Sequence, residues 1–325
     1  MNLKTRYIGL ELRTPVIVGS CDLTSTVEGM KSLESYGAGA LVLPSVFEEE
    51  IMYETDANRA MSVYGGYGDK DELSQLSKEH KLEKYLQLIS DAKKQVNIPI
   101  IASINCMSSR EWVAYAKKIQ TAGADALELC MYILPNDTKY HGDEIEKIYH
   151  EIIKKIYTYV TIPVSLKIGY YFSGLANMVL NLSKLNISGF VLFNGNLLKD
   201  IDIEKIEYTG NEFVSSHEEF LITLKWISVL SSKVNSDLCA SAGVHDGESV
   251  IKNILAGAKA VQVVSSLYTN GNQHIRTMLN TVENWMKNHN FEDISSFCGK
   301  LCVKENKKPI IYERVEFLKF ANGKR

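Results

Sequence analysis

The chain has 325 residues, 45% hydrophobic and 23% charged, with a formal net charge of −3 at pH 7. That composition is ordinary for a soluble globular protein. Lys and Arg are scattered, which excludes a nucleic-acid footprint and a polybasic membrane patch, and no apolar run approaches the roughly 18 residues of a membrane span.

The opening "MNLKTRYIGLELRTP" carries charges and no continuous apolar run, so it reads as neither signal nor transit peptide. Six cysteines without a regular framework fit a reducing compartment. The expectation is a cytoplasmic protein acting on a small molecule.

Eight short apolar runs follow in order. They are "VIVGS" (16–20), "ALVLP" (40–44), "PIIASI" (99–104), "ALELCM" (126–131), "PVSLKI" (163–168), "GFVLFN" (189–194), "DLCAS" (237–241) and "AVQVVS" (260–265). Each reads as a strand buried on both faces. Amphipathic segments of helical length lie between them, among them "SREWVAYAKKIQTAG", "HEEFLITLKWISVLSS" and "SVIKNILAG". A repeat links helix to strand in "YGAGALVLP", "AGADALELC" and "AGAKAVQVV", with "NISGFVLF" a weaker copy. In each the glycine is expected to stop a helix in the left-handed conformation.

Eight such units predict a (β/α)8 TIM barrel in a single domain over 1–325, with a core at about 15–290 and a C-terminal extension from 291. A doubly wound sheet is disfavoured because no G-x-G-x-x-G follows the first strand. Insertions are expected after strand 2 (45–80) and strand 6 (195–217).

In such a barrel, strand ends and βα loops meet the ligand. Lys167 is the sharpest candidate, since a lysine inside an apolar strand is almost never buried unpaired. Its partner could be a phosphate, a flavin ring oxygen, a ring nitrogen or a carbonyl that forms a Schiff base. The alternative is a lysine snorkelling outward between helices. Asn194 either meets a planar heterocycle or forms a turn before Gly195. Asn105 poses the same choice, because Ser108 and Ser109 beside it resemble helix caps.

Two small-residue turns, 241–243 and 265–266, end strands 7 and 8. Packing alone would explain them. A phosphate is the favoured reading, with the helix starting near Asp246 adding its dipole. Cys21, Cys106, Cys130 and Cys239 all fall at strand ends. Cys130 is the foremost of them for acid–base or nucleophilic work, and the others read mainly as core. No metal is expected, since histidines with ligand spacing are missing.

Together these residues resemble the dihydroorotate dehydrogenase family, FMN-containing barrels, and most of all its class 1-like branch. The carrying segments are "TPVIVGS", "ASINCMS", "IPVSLKI", "LFNGN", "ASAGVHDGESVIKNILAGAKAVQVVSSLY" and "FEDISSFCGKL". The resemblance implies an FMN flavoprotein, an oxidoreductase that oxidises a dihydropyrimidine-like substrate by hydride transfer to flavin N5, as in pyrimidine biosynthesis. It puts Ser20 on the flavin and Lys167 at the ring's N1/O2 edge. Asn194 lies near the ring, and Ala242, Gly243, Val264, Ser265 and Ser266 cradle the phosphate. Ser45 and Asn105 complete the cofactor-binding candidates. Cys130 is the candidate base, with Tyr132 behind it, and a homodimer is implied.

The chain also departs from the family pattern. Pro44 replaces the usual lysine after strand 2, and the substrate motif Asn-x-x-Gly is not recognisable. The catalytic segment Asn-x-Ser-Cys-Pro-Asn reads "ELCMYILPND", with Cys130 one position early and Glu128 in place of the first Asn. Ala242 stands for one glycine of a Gly-Gly pair. Two rival readings follow: a Schiff-base aldolase or synthase using Lys167, and a flavin-binding protein without dehydrogenase activity. Substrate and electron acceptor stay open.

Overall fold

The eight apolar runs become eight parallel strands closed into one barrel in the computed structural model. It describes residues 1–55, 81–109, 112–131, 133, 138–195, 200–209, 215–303 and short stretches within 314–323. The barrel strands are β3 (Val16–Val18), β4 (Ala40–Phe47), β5 (Ile100–Asn105), β6 (Ala126–Met131), β7 (Val164–Ile168), β8 (Gly189–Leu192), β11 (Asp237–Ala240) and β12 (Ala260–Val263). They pair in chain order, and β12 closes onto β3. This is the expected (β/α)8 TIM barrel.

The helices are α1 (Val27–Tyr36), α2 (Glu48–Thr55), α3 (Lys81–Gln95), α4 (Val113–Ala122), α5 (Gly142–Ile156), α6 (Leu175–Ser183), α7 (His217–Leu230), α8 (Gly247–Ala256), α9 (Ser265–Asn270) and α10 (His274–Asn288). Alternation along each strand sorts the side chains. In β6, Leu127, Leu129 and Met131 join the core beneath the helices, whereas Ala126 faces the barrel interior. A hairpin of β1 (Thr5–Tyr7) and β2 (Leu10–Leu12) packs Tyr7, Ile8 and Leu12 against that interior layer. The Ile8 amide donates to Asp237 Oδ2 at 2.7 Å, which fixes the hairpin at the start of β11. The C-terminal mouth is thereby left as the side where a ligand can enter.

The glycine stops are where the repeat predicts them. Gly37, Gly123 and Gly257 follow α1, α4 and α8 with φ of 109°, 104° and 119°. The weaker copy differs. There Asn186 takes the left-handed turn at φ 62°. Gly189 lies inside β8, where a Cβ would come within 2.5 Å of Ile8 Cγ2. It is glycine for close packing of the hairpin.

After β4 the chain continues into α2, and residues 56–80 of the expected first insertion lie outside the described residues. The second includes a two-stranded hairpin, β9 (Asp200–Asp202) with β10 (Glu207–Thr209). Among the described residues, no helix is long and apolar enough to cross a membrane.

Candidate active site

The inward row of the barrel is apolar at the bottom and polar above. Ala126, Ala260 and Cys239 belong to the lower layer. Glu128 follows Ala126 and Gln262 follows Ala260 two residues along their strands, and with Lys167 of a third strand they line a cavity of about 570 Å³. That volume lies within the usual range for small-molecule sites. Lys167 therefore faces the barrel interior, not the gaps between helices.

These three side chains form one network. Lys167 Nζ donates to Gln262 Oε1 at 3.0 Å, and Gln262 Nε2 donates to Glu128 Oε2 at 2.5 Å. Lys167 and Glu128 Oε1 form an ion pair at 3.7 Å. Glu128 is 1% exposed and Lys167 8%, so both charges are held away from bulk water. The sequence signal for Glu128 and Gln262 was the one that marked Lys167, a polar residue inside an apolar run. Neither is among the expected site residues, Glu128 entering only as a departure from the family motif, yet both line the cavity.

A ladder of hydroxyls borders this network. Ser20 and Ser45 are 3.2 Å apart, and Ser45 and Ser103 2.7 Å. Pro44 explains how Ser45 reaches them. The β4–β5 register shifts between Val42 and Ser45, a bulge that suits a residue without a backbone donor and re-aims the next side chain. Asn105 Nδ2 lies 3.8 Å from Cys130 Sγ, both on the cavity wall. Burial pushes the Cys130 thiol up to about 11, against the lowering effect of Lys167, with Glu128 pushing it further up. At neutral pH Cys130 is a proton holder, and only its rare thiolate could act as a base.

Ala242, Gly243, Val264 and Ser265 line the same cavity. Ala242 and Gly243 are both left-handed, with φ of 70° and 71°. A Cβ on Gly243 would sit 2.4 Å from the Phe220 backbone nitrogen, so the turn lies directly on the start of α7. Ser265 Oγ accepts from the Ser215 amide at 3.0 Å. Ser266 is fully buried, and its side chain is not part of the cavity lining.

The helix expected near Asp246 is α8, with Asp246 as its N-cap accepting from the Ser249 amide at 2.7 Å. Asp246 itself does not line the cavity, whereas Gly243 and Val244 before it do. One local expectation is corrected: Ser108 is not a helix cap. Its amide and hydroxyl donate to buried Glu48, at 2.9 and 3.0 Å, and α4 begins at Val113.

Ser20, Ser45, Asn105, Cys130, Lys167, Asn194, Ala242, Gly243, Val264 and Ser265 thus share one cavity. Tyr132 lies outside the described residues. Cys21 also lines the cavity, whereas Cys106 packs in the helix-side core and Cys239 in the barrel interior. Among the described residues, no group of three or more His, Cys, Asp or Glu could hold a metal ion.

A parallel barrel with a buried lysine and two small-residue turns at its C-terminal mouth defines a ligand-binding enzyme site of the TIM-barrel class. The dihydroorotate dehydrogenase family model matches residues 2–286, and the chain belongs to that family. The family is one of oxidoreductases acting on CH–CH donors, and its members are flavoproteins in general. Among similar curated proteins is the catalytic subunit of dihydroorotate dehydrogenase B (NAD(+)) of Thermoplasma acidophilum, 22% identical over 92% of this chain and 98% of that one. The corresponding subunit of Methanocaldococcus jannaschii is 24% identical over 89% of this chain and 94% of its own. Dihydroorotate dehydrogenase A (fumarate) of Lactococcus lactis is 22% identical over 92% of this chain and 99% of its own. Membership in this family sets the chain apart from Schiff-base aldolases.

Proposed function

We propose that the chain is an FMN-dependent dehydrogenase that oxidises a dihydropyrimidine-like ring, with flavin N5 as hydride acceptor. The observation that carries this reading is the fixed ammonium of Lys167 in a cavity that also holds the small-residue turns. The donor set fits FMN. The backbone at Ala242, Gly243, Val264, Ser265 and Ser266 would hold the phosphate, and Ser20, Ser45, Asn105 and Asn194 would bond the ring.

FMN, when bound, supplies the two-electron acceptor. The protein's own part is to position and to handle charge and protons. Lys167 opposes negative charge that develops beside it, and does so best where water is scarce. Cys130 receives the substrate proton, and Asn105 orients its sulfur. Cytoplasmic location and a homodimer go with this reading, and size-exclusion chromatography tests the latter. The similar proteins named above differ in electron acceptor, so both NAD(+) through a partner subunit and fumarate are to be assayed.

Purified protein is expected to be yellow, absorbing near ~450 nm, because the flavin carries the chemistry. Anaerobic addition of dihydroorotate, dihydrouracil and related rings should bleach that band. Colourless protein that takes up no FMN would overturn the reading. Flavin that no such ring reduces would favour a binding protein without dehydrogenase activity.

The thiol at about 11 gives the reaction a pH signature. The basic form of Cys130 is the active one, and its raised value leaves that form scarce at neutral pH. Flavin reduction should therefore rise about tenfold per pH unit from pH 6 towards 10, without a plateau, as general-base catalysis by such a group requires. Cys130→Ala should lower the rate and remove that slope. A plateau below pH 8 in the wild type would assign the base to another group.

A further inference from the structure

We propose that Glu128 and Gln262 are positioning residues that tune the charge Lys167 presents to the cavity, and through it the reduction potential of the bound flavin. The inference rests on the reading that Lys167 faces the flavin. None of the three residues reaches this arrangement by local sequence, since they come from β6, β7 and β12.

The network has one consistent orientation. An ammonium only donates, so Gln262 must turn its carbonyl oxygen to Lys167. An ionised carboxylate only accepts, so Glu128 takes the Gln262 amide. The observed bonds, 3.0 Å from Lys167 to Oε1 and 2.5 Å from Nε2 to Glu128, match that assignment. Among the described residues, Glu128 Oε1 has no hydrogen-bond partner, and the Lys167 ion pair at 3.7 Å answers its charge.

Two consequences follow. Gln262 holds the ammonium off Glu128, so that it is not drawn down into close contact with the carboxylate and away from the cavity. Glu128 supplies an opposing charge, so the site presents less than a full positive charge to a ligand above it. Such a site holds a reduced, anionic ring less tightly than a bare lysine would. It thereby keeps the flavin a willing donor to the next acceptor.

The test measures the midpoint potential of the FMN-loaded protein, not turnover. Glu128→Gln keeps shape and can still accept from Gln262, so the fold should be retained. It should favour reduced over oxidised flavin at least tenfold, which for a two-electron couple is about 30 mV upward. Gln262→Met, a second variant of similar volume, should move the potential downward, because Lys167 then settles onto Glu128. The Gln262→Met shift should vanish in a Lys167→Met background, whereas the Glu128→Gln shift should persist there, because it removes a buried charge directly. If Lys167→Met lowers the potential but Glu128→Gln leaves it unchanged or lowers it, the tuning inference is overturned and the placement of Lys167 at the flavin stands. If Lys167→Met leaves the potential unchanged, that placement fails, and the inference with it.

Discussion

Lys167→Ala is expected to slow reduction of the bound flavin by its substrate at least ~30-fold. Removing one preorganised donor from a site of developing negative charge costs about 2.7–4 kcal/mol. Lys167 already shares its charge with Glu128, so ~2 kcal/mol is the lower bound, and at 1.36 kcal/mol per decade that is the ~30-fold figure. FMN should still bind, because the turns at 242–243 and 264–266 would hold its phosphate independently.

The network adds a complication that the lysine alone would not show. Truncating Lys167 leaves the Glu128 carboxylate buried with Gln262 as its remaining hydrogen-bond partner. Breaking a buried pair in this way destabilises by about 3–5 kcal/mol. The single variant should therefore lose both rate and thermal stability. Lys167→Met/Glu128→Gln removes both charges and should regain most of the stability while staying slow. Stopped-flow reduction by a true substrate, alongside thermal unfolding, separates the two effects. Wild-type reduction rates in a folded Lys167 variant would place the flavin elsewhere.

The strands were legible because a parallel strand covered on both faces needs no alternation to be seen. The stops were legible because Gly37, Gly123 and Gly257 each end a helix in a conformation that other residues resist. "NISGFVLF" looked like a fourth copy, but a glycine kept for close approach and one kept for positive φ are the same letter. Gly189 is the first kind, and only the neighbouring Ile8 methyl reveals it.

The site divides in the same way. Lys167 was readable because a lysine in "PVSLKI" needs a partner. The partner itself was not readable, since Gln262 is 95 residues away and Glu128 lies 134 residues from Gln262. Strands buried on both sides hide which face a residue takes, so Glu128 looked like a motif departure and not part of the cavity lining. The helix start at Asp246 was legible because Asp is among the best N-caps, and it caps its own helix through Ser249.

The phosphate turn carries the second large prediction. Gly243→Ala should destabilise the protein and abolish FMN retention, whereas Ala242→Gly should do neither. At Gly243 two costs combine. A left-handed non-glycine residue costs about 1–2 kcal/mol. The added methyl would lie 2.4, 2.6 and 2.7 Å from the Phe220 N, Cβ and Cα atoms. Two of those three are backbone atoms, so α7 must move, and overpacking of that kind costs about 1–3 kcal/mol. The sum is about 2–5 kcal/mol, and the displaced turn is the one proposed to hold the phosphate. At Ala242 the balance is nearly even. Glycine relieves the left-handed strain of about 1–2 kcal/mol and adds about 0.4–1 kcal/mol of unfolded-chain entropy to be overcome. Ala242→Gly should thus match or slightly exceed the wild type in thermal unfolding and stay yellow after gel filtration. A Gly243→Ala protein that keeps both wild-type stability and its flavin would mean that the cofactor phosphate is held without this turn.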